Sequence, residues 1–330
     1  MSRNEKAEAR PSSTEEEDVL QISPTTTYVD LQHDPLDACL ELAEKRKQIG
    51  DDVGAISAYS EALRLRPRHG QFYLARARLL LRCSEWQAAL ADLEMSVNLS
   101  AEPALSHLER GHVYRSMGDL TNALADYNEA LRHDPHLSWA YLARAQVKES
   151  MEDLGGAFHD YTQAIGSAPR LVEAYHKRGS FLSRTGHLDA ALFDFNEAIR
   201  LSPDAFDVLT ERGHLHLSLG ELNPSLDDFE RALELCPANA RALTGRGTAR
   251  YHLGYLDDAL NDWQKAIESD PRAGDAYFRR AIYLLGLLDY DGAFKDLSIA
   301  VRVAPRKWAL RSAAEQTLKR IDTQLSPKRA

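Results

Sequence analysis

The sequence predicts an all-α fold, a solenoid of repeated helical hairpins closed by a final capping helix. Three observations predict it. First, seven of the thirteen prolines (Pro67, Pro135, Pro169, Pro203, Pro237, Pro271 and Pro305) lie on one lattice of 34 residues. The single gap of 68 is filled by Ala101, with Pro103 two residues later. Second, small residues recur in the same phase. Twenty-four residues before each lattice point stand Ala43, Ala77, Gly111, Ala145, Gly179, Gly213, Gly247 and Ala281, and further small columns run through Ala55 to Ala293 and Ala62 to Ala300. Third, a bulky column runs Tyr59, Leu93, Tyr127, Tyr161, Phe195, Phe229, Trp263 and Leu297.

Small residues at helical spacing let two helices approach closely, and a bulky side chain four positions away fills the space beside them. Between these columns Gly50, Gly118, Gly186, Gly220 and Gly254 supply the breakers that end the first helix of a unit. Asn223-Pro224 reads as a cap and first-turn proline for a second helix, and Asp34-Pro35 as the start signal of the first. The carboxylate pairs Asp51-Asp52, Asp227-Asp228 and Asp257-Asp258 read as helix starts, where they favour the dipole.

In this phase the chain resembles the tetratricopeptide repeat family, whose pattern runs W-x2-L-G-x2-Y, then A-x3-F, then P over 34 residues. The resemblance implies a right-handed α-solenoid of eight repeats at 36–69, 70–103, 104–137, 138–171, 172–205, 206–239, 240–273 and 274–307. Ser84 and Glu152 stand where glycine is usual at the helix turn, and Ala101 where proline is usual.

The ends differ in composition. Residues 1–35 form an expected disordered tail, with three basic and eight acidic side chains up to residue 34 and Ser12, Ser13 and Thr14 before an acidic run. After Pro305, Trp308, Leu310, Ala314, Leu318, Ile321 and Leu325 share one helical face, which predicts a capping helix over 307–324 and a basic tail over 325–330. Ser326-Pro327 resembles a proline-directed phosphorylation site.

One pair of columns departs from the family pattern. Arg76, Arg110, Arg144, Arg178, Arg212, Arg246 and Arg280 occupy position 7 of their repeats, where leucine is usual. Asp92, Asp126, Asp160, Asp194, Asp228, Asp262 and Asp296 occupy position 23, while repeat 1 lacks both, with Leu42 and Ala58. In an antiparallel hairpin turning near position 15, positions 7 and 23 lie at equal height. The columns are therefore expected to form structural ion pairs within each repeat, close enough for neighbouring repeats to share.

Composition excludes several functions. A formal charge of −10 opposes general nucleic-acid binding, and no apolar run is long enough to span a bilayer. Cys39, Cys83 and Cys236 are scattered, which fits a reducing, cytoplasmic setting. No nucleophile–base set or phosphate loop is visible. Gly245-Arg246-Gly247 lacks a third glycine, His214 and His216 face different sides of a helix, and His133 and His136 read as a solvated turn. The expectation is no enzyme, no cofactor and no metal.

What remains is binding. In this family the first helices line a concave groove for peptide or helical partners. By that resemblance the partner-binding residues are Arg78, Arg82, His112, Arg115, His214, Leu217, Tyr251, Phe278, Ile282 and Leu285, basic at one end and apolar or aromatic at the other. A competing expectation has Phe278, Ile282 and Leu285 covered by the C-terminal helix. The expected function is a protein–protein interaction scaffold or adaptor. The alternatives are a structural subunit of a larger assembly and a chaperone-associated adaptor, the latter disfavoured because no asparagine occupies position 9 of any repeat.

Overall fold

The computed structural model describes residues 34–100 and 103–329, with side chains described as far as residue 323. The acidic N-terminal tail and its Ser12–Thr14 cluster lie outside the described residues, and the side chains of Leu325 and Ser326 are likewise not described. All seventeen regular elements among the described residues are α-helices. The chain divides into two compact units, Met1–Ala101 and Glu102–Ala330.

The first unit holds α1 (Pro35–Gln48), α2 (Asp52–Leu65), α3 (Gly70–Arg82) and α4 (Trp86–Leu99). They form two hairpins, α1 with α2 and α3 with α4, joined by packing of α2 on α3. Pro35 is already helical, with Asp34 capping the Leu36 amide at 3.0 Å, so α1 starts one residue before the expected first repeat. The second unit continues with α5 (Ala104–Ser116), α6 (Leu120–His133), α7 (Ser138–Ser150), α8 (Leu154–Ser167), α9 (Val172–Arg184) and α10 (Leu188–Leu201). Then come α11 (Phe206–Ser218), α12 (Leu222–Leu235), α13 (Ala240–Leu253), α14 (Leu256–Ser269), α15 (Gly274–Gly286), α16 (Tyr290–Val303) and α17 (Arg311–Arg329). Six hairpins, α5/α6 to α15/α16, follow in tandem, each second helix packing on the first helix of the next and α17 lying on α16. Both units are thus all-α arrays of the solenoid class.

Each hairpin turn needs one residue in the left-handed region. Gly50, Gly118, Gly186, Gly220 and Gly254 take it with φ between 76° and 88°. Ser84, Glu152 and Leu288 take it without being glycine, at φ of 63°, 65° and 61°. The turn is therefore set by its place in the lattice even where the residue is unfavourable.

The small and bulky columns face each other across the hairpin. A Cβ at Gly111 would sit 2.6 Å from the Tyr127 ring, and one at Gly247 would sit 2.7 Å from Nε1 of Trp263. Tyr127, Phe195, Phe229 and Trp263 are all at most 1% exposed. Side chains this large fit only because the facing helix carries no bulk there.

Three expectations are corrected. α12 begins at Leu222 with Glu221 at its cap position, so Asn223 lies inside the first turn and caps nothing. Asp227-Asp228 consequently sit within α12 and not at its start. The capping helix runs 311–329 instead of 307–324, and its residues continue through the span expected to be a basic tail. Its delayed start has a cause: the Trp308 amide bonds to the Pro305 carbonyl and the Arg311 amide to that of Trp308, giving two turns before the helix. Ala314 and Ile321 are buried against α15 and α16, with Trp308, Leu310 and Leu318 beside them.

Candidate partner-binding surface

The arginine–aspartate columns meet within each repeat. Nε and Nη2 of Arg144 donate to the two carboxylate oxygens of Asp160, both at 2.7 Å. Arg76–Asp92, Arg110–Asp126, Arg178–Asp194, Arg212–Asp228, Arg246–Asp262 and Arg280–Asp296 repeat this fork at 2.6–2.9 Å. The seven aspartates are at most 5% exposed. Donating to Asp92 raises the Arg76 guanidinium above its ordinary value against the opposing effect of burial, and donating to Asp296 does the same for Arg280. Burial pushes Asp126 up, yet bonds from Arg110 and His107 together hold it below the usual carboxylate range.

The third nitrogen of the fork reaches back one repeat, a contact that the sequence reading did not specify. Nη1 of Arg76 donates to Ser60 at 2.9 Å, of Arg144 to Asn128 at 2.8 Å, of Arg178 to Thr162 at 3.3 Å and of Arg212 to Asn196 at 2.5 Å. Arg280 does the same with Gln264. These five arginines therefore each close their own hairpin and tie it to the preceding one. Lys148 and Arg250 add a second cation to Asp160 and Asp262, both at 2.9 Å. In this row each buried carboxylate is matched by a guanidinium, so the charges are satisfied within the array.

The expected groove residues divide by environment. In the first unit Arg78 and Arg82 are exposed, and Arg82 Nε lies 3.1 Å from Asp52. In the second unit His112 stands edge-on to Tyr127 at 5.7 Å, and Arg115 donates to Gln146 of the next first helix. Tyr251 is 36% exposed, with its ring 5.8 Å from Trp263, and Ile282 is 37% exposed. Leu217 is half-buried. Phe278 is a correction: it is 7% exposed and meets the Trp308 ring edge-on at 5.9 Å, so its side chain belongs to the core. Leu285 also packs on that core. The cover over Phe278 comes from the loop ahead of α17.

His214 is half-buried, lies edge-on to Phe229 at 4.9 Å, and has an Nε2 with no hydrogen-bond partner. Burial first, then the Arg241 charge, lowers it to about 4. It opens on a cavity of about 520 Å³ lined by Arg241, Thr244, Arg272, Asp275 and Trp308. There Trp308 Nε1 donates to Asp275 at 2.7 Å.

Sequence reasoning missed two carboxylates that link first helices in the second unit. Glu211 on α11 takes His176 at 3.5 Å, Arg241 at 3.3 Å and the Ser180 hydroxyl. Burial raises it, but the contacts with His176 and Ser180 prevail and lower it to about 2. Glu149 on α7 accepts from Tyr161 at 3.1 Å and pairs with Arg184. The available signal was a spacing near one repeat, as between Glu149 and Arg184. A second missed feature is a cavity of about 760 Å³ lined by Leu154, Phe158, Phe181, Leu182, His187 and Phe193. Phe158 and Phe193 remain 45% and 60% exposed beside it.

Tandem hairpins whose first helices run side by side define a repeat protein that offers surface. Family models of the tetratricopeptide repeat match residues 104–137, 172–205, 54–102, 210–266 and 244–306, well over half the chain. The chain belongs to the tetratricopeptide repeat family. No curated protein matches it. Among solved structures it is similar to a chain of the APC/C hetero-tetramer Cut9–Hcn1, with a TM-score of 0.62 at 17% identity over 86% of this chain and 55% of that one. Yeast Tom70 gives 0.57 at 19% identity over 91% of this chain and 66% of that one. A tetratricopeptide repeat protein from Parabacteroides merdae ATCC 43184 gives 0.54 at 17% over 87% and 98%. At these identities the likeness is one of fold. No helix among the described residues is long and apolar enough to cross a membrane.

Proposed function

We propose that this chain is a non-enzymatic scaffold or adaptor that holds a peptide or helical segment of a partner protein along its first helices. The observation that carries the reading is the cavity beside His214, where Arg241, Thr244, Asp275 and Trp308 place donors, an acceptor and an aromatic surface in one recess. Such a mix of apolar wall and a few polar groups suits a short segment with a polar end. Arg115, Tyr251 and Ile282 extend that face in the second unit, and the first unit, taken by itself, presents Arg78 and Arg82 on its first helices. The test is to compare partner capture by the natural chain and by a variant with Arg78, Arg115, Tyr251 and Ile282 all changed to alanine. Loss of specific partners with unchanged helicity is expected. Retention of every partner would remove the first-helix assignment.

A second reading, a subunit built into a larger assembly, is favoured by the exposed Phe158 and Phe193 on the second-helix side. Gel filtration of untreated lysate separates the two, since an obligate subunit is missing from the monomer fraction. Nothing in the column Glu44, Arg78, His112, Gln146, Ser180, His214, Thr248 and Ile282 supports a chaperone clamp.

A further inference from the structure

His107 on α5 and Glu129 and His133 on α6 bring one ligand atom each to within 4.8 Å of one another. The two imidazoles lie nearly parallel, with centroids 5.7 Å apart. His107 is 7% exposed, and its Nδ1 lies 2.9 Å from Asp126 Oδ1. Asp126 is an ionised acceptor already held by Arg110, so Nδ1 carries the proton and donates. Nε2 is thereby left with its lone pair directed away from Asp126. A histidine oriented by a carboxylate on its far nitrogen is the arrangement that fixes a metal ligand. Glu129 and His133 are four residues apart on one helix, so they present their donors on the same face.

The sequence carries a second sign. Position 4 of the repeats holds Cys39, Tyr73, His107, Tyr141, Tyr175, Leu209, Leu243 and Tyr277, and position 30 holds Leu65, Leu99, His133, Ser167, Leu201, Leu235, Ser269 and Val303. Histidine enters both columns only in the third repeat.

We propose that His107, Glu129 and His133 bind a divalent transition-metal ion, zinc by the character of the ligand set, and that the ion pins the start of α5 to the end of α6. Two imidazoles and one carboxylate are a zinc set with one position left for water. Tetrahedral ligation at bond lengths of ~2.1 Å needs donors about 3.4 Å apart. The exposed His133 and half-buried Glu129 close that distance by side-chain rotation, while His107 stays fixed. Arg132 opposes the ion. It pairs with Glu129 at 2.6 Å, and its Nη2 lies 3.4 Å from His133 Nε2, but its side chain is 67% exposed and free to swing away.

The test is titration of the tag-free full chain with zinc by calorimetry, and with cobalt(II) by visible absorption. One equivalent should bind, giving the intense bands of a four-coordinate cobalt site that zinc then displaces. His133→Ala and Glu129→Gln change surface groups and should fold normally, yet weaken binding by about tenfold or more. Arg132→Ala should tighten it, a change that no merely structural role predicts. Absence of stoichiometric binding by the natural chain, or undiminished affinity in His133→Ala, overturns the proposal.

Discussion

At the scale of single residues, the arginine–aspartate pairs are the most consequential contacts in the molecule, because burial decides what they are worth. An exposed pair contributes ~0.2–1 kcal/mol, whereas stranding one charge of a buried pair costs about 3–5 kcal/mol. Asp194 is 0% exposed and the Arg178 side chain 16% exposed, which places this pair in the second regime. Arg178→Ala is therefore expected to lower the chemical-denaturation midpoint sharply by leaving the Asp194 carboxylate without its fork. Adding Asp194→Ala removes the stranded charge, so the double variant should be less damaged than the sum of the singles by ~0.5–3 kcal/mol. Additive losses would mean that the two side chains do not depend on each other. The matched absence of both partners at Leu42 and Ala58 made this dependence legible in the sequence. Sharing with a neighbouring repeat was expected, but the acceptor that Nη1 reaches was harder to read, because Ser60, Asn128, Thr162, Asn196 and Gln264 stand at one repeat position without a common residue type. What they share is a polar oxygen sixteen residues before the arginine that reaches it.

At the scale of elements, the hairpin turn shows what a repeat imposes on its own exceptions. Leu288 holds φ of 61° with its side chain 69% exposed, so nothing in the packing repays the left-handed conformation. An L-residue there costs roughly 1–2 kcal/mol relative to its preferred region. Glycine escapes most of that cost but surrenders more chain entropy on folding. Leu288→Gly should therefore stabilise the α15–α16 hairpin by about 1 kcal/mol, read as a raised urea midpoint, and Gly254→Ala should lower the midpoint by a similar amount. No change in either variant would show that the turn conformation is not under strain. Helix starts were readable because small residues and prolines keep a constant phase. Gly70, Ala104, Ser138, Val172, Phe206, Ala240 and Gly274 each open a helix. Asn223-Pro224 misled because local capping preference yields to the lattice, which starts α12 at Leu222 as it starts α10 at Leu188. The candidate site was less legible than the fold. Phe278 occupies a groove position by its number, yet Trp308, outside the lattice, decides that it is buried.

At the scale of the whole molecule, tandem packing makes stability local. Within the second unit each hairpin touches its neighbours, so a perturbation at one end is transmitted only by weakening the next interface. α17 tests this, because it covers the apolar face that α15 and α16 turn outward. Ile321 is 2% exposed and Ala314 fully buried, with Trp308, Leu310 and Leu318 packed beside them. Fully burying one large apolar side chain contributes about 1.5–3 kcal/mol, so losing several at once outweighs the stability that one hairpin holds in surplus. A chain ending at Pro305 should show amide-exchange protection collapsing in α15 and α16, falling less in α13 and α14, and nearly unchanged in α9 and α10. It should also self-associate more readily, because the uncovered face includes the Phe278 ring. A uniform loss of protection from α5 to α16 would contradict the local picture, for it would mean that all six hairpins fold as one cooperative block. In that case the back-reaching arginines, and not the apolar interfaces, would be the dominant coupling between repeats. Repeating the measurement with Gln264→Ala, which removes the acceptor that Arg280 uses in the preceding repeat, then distinguishes the two couplings.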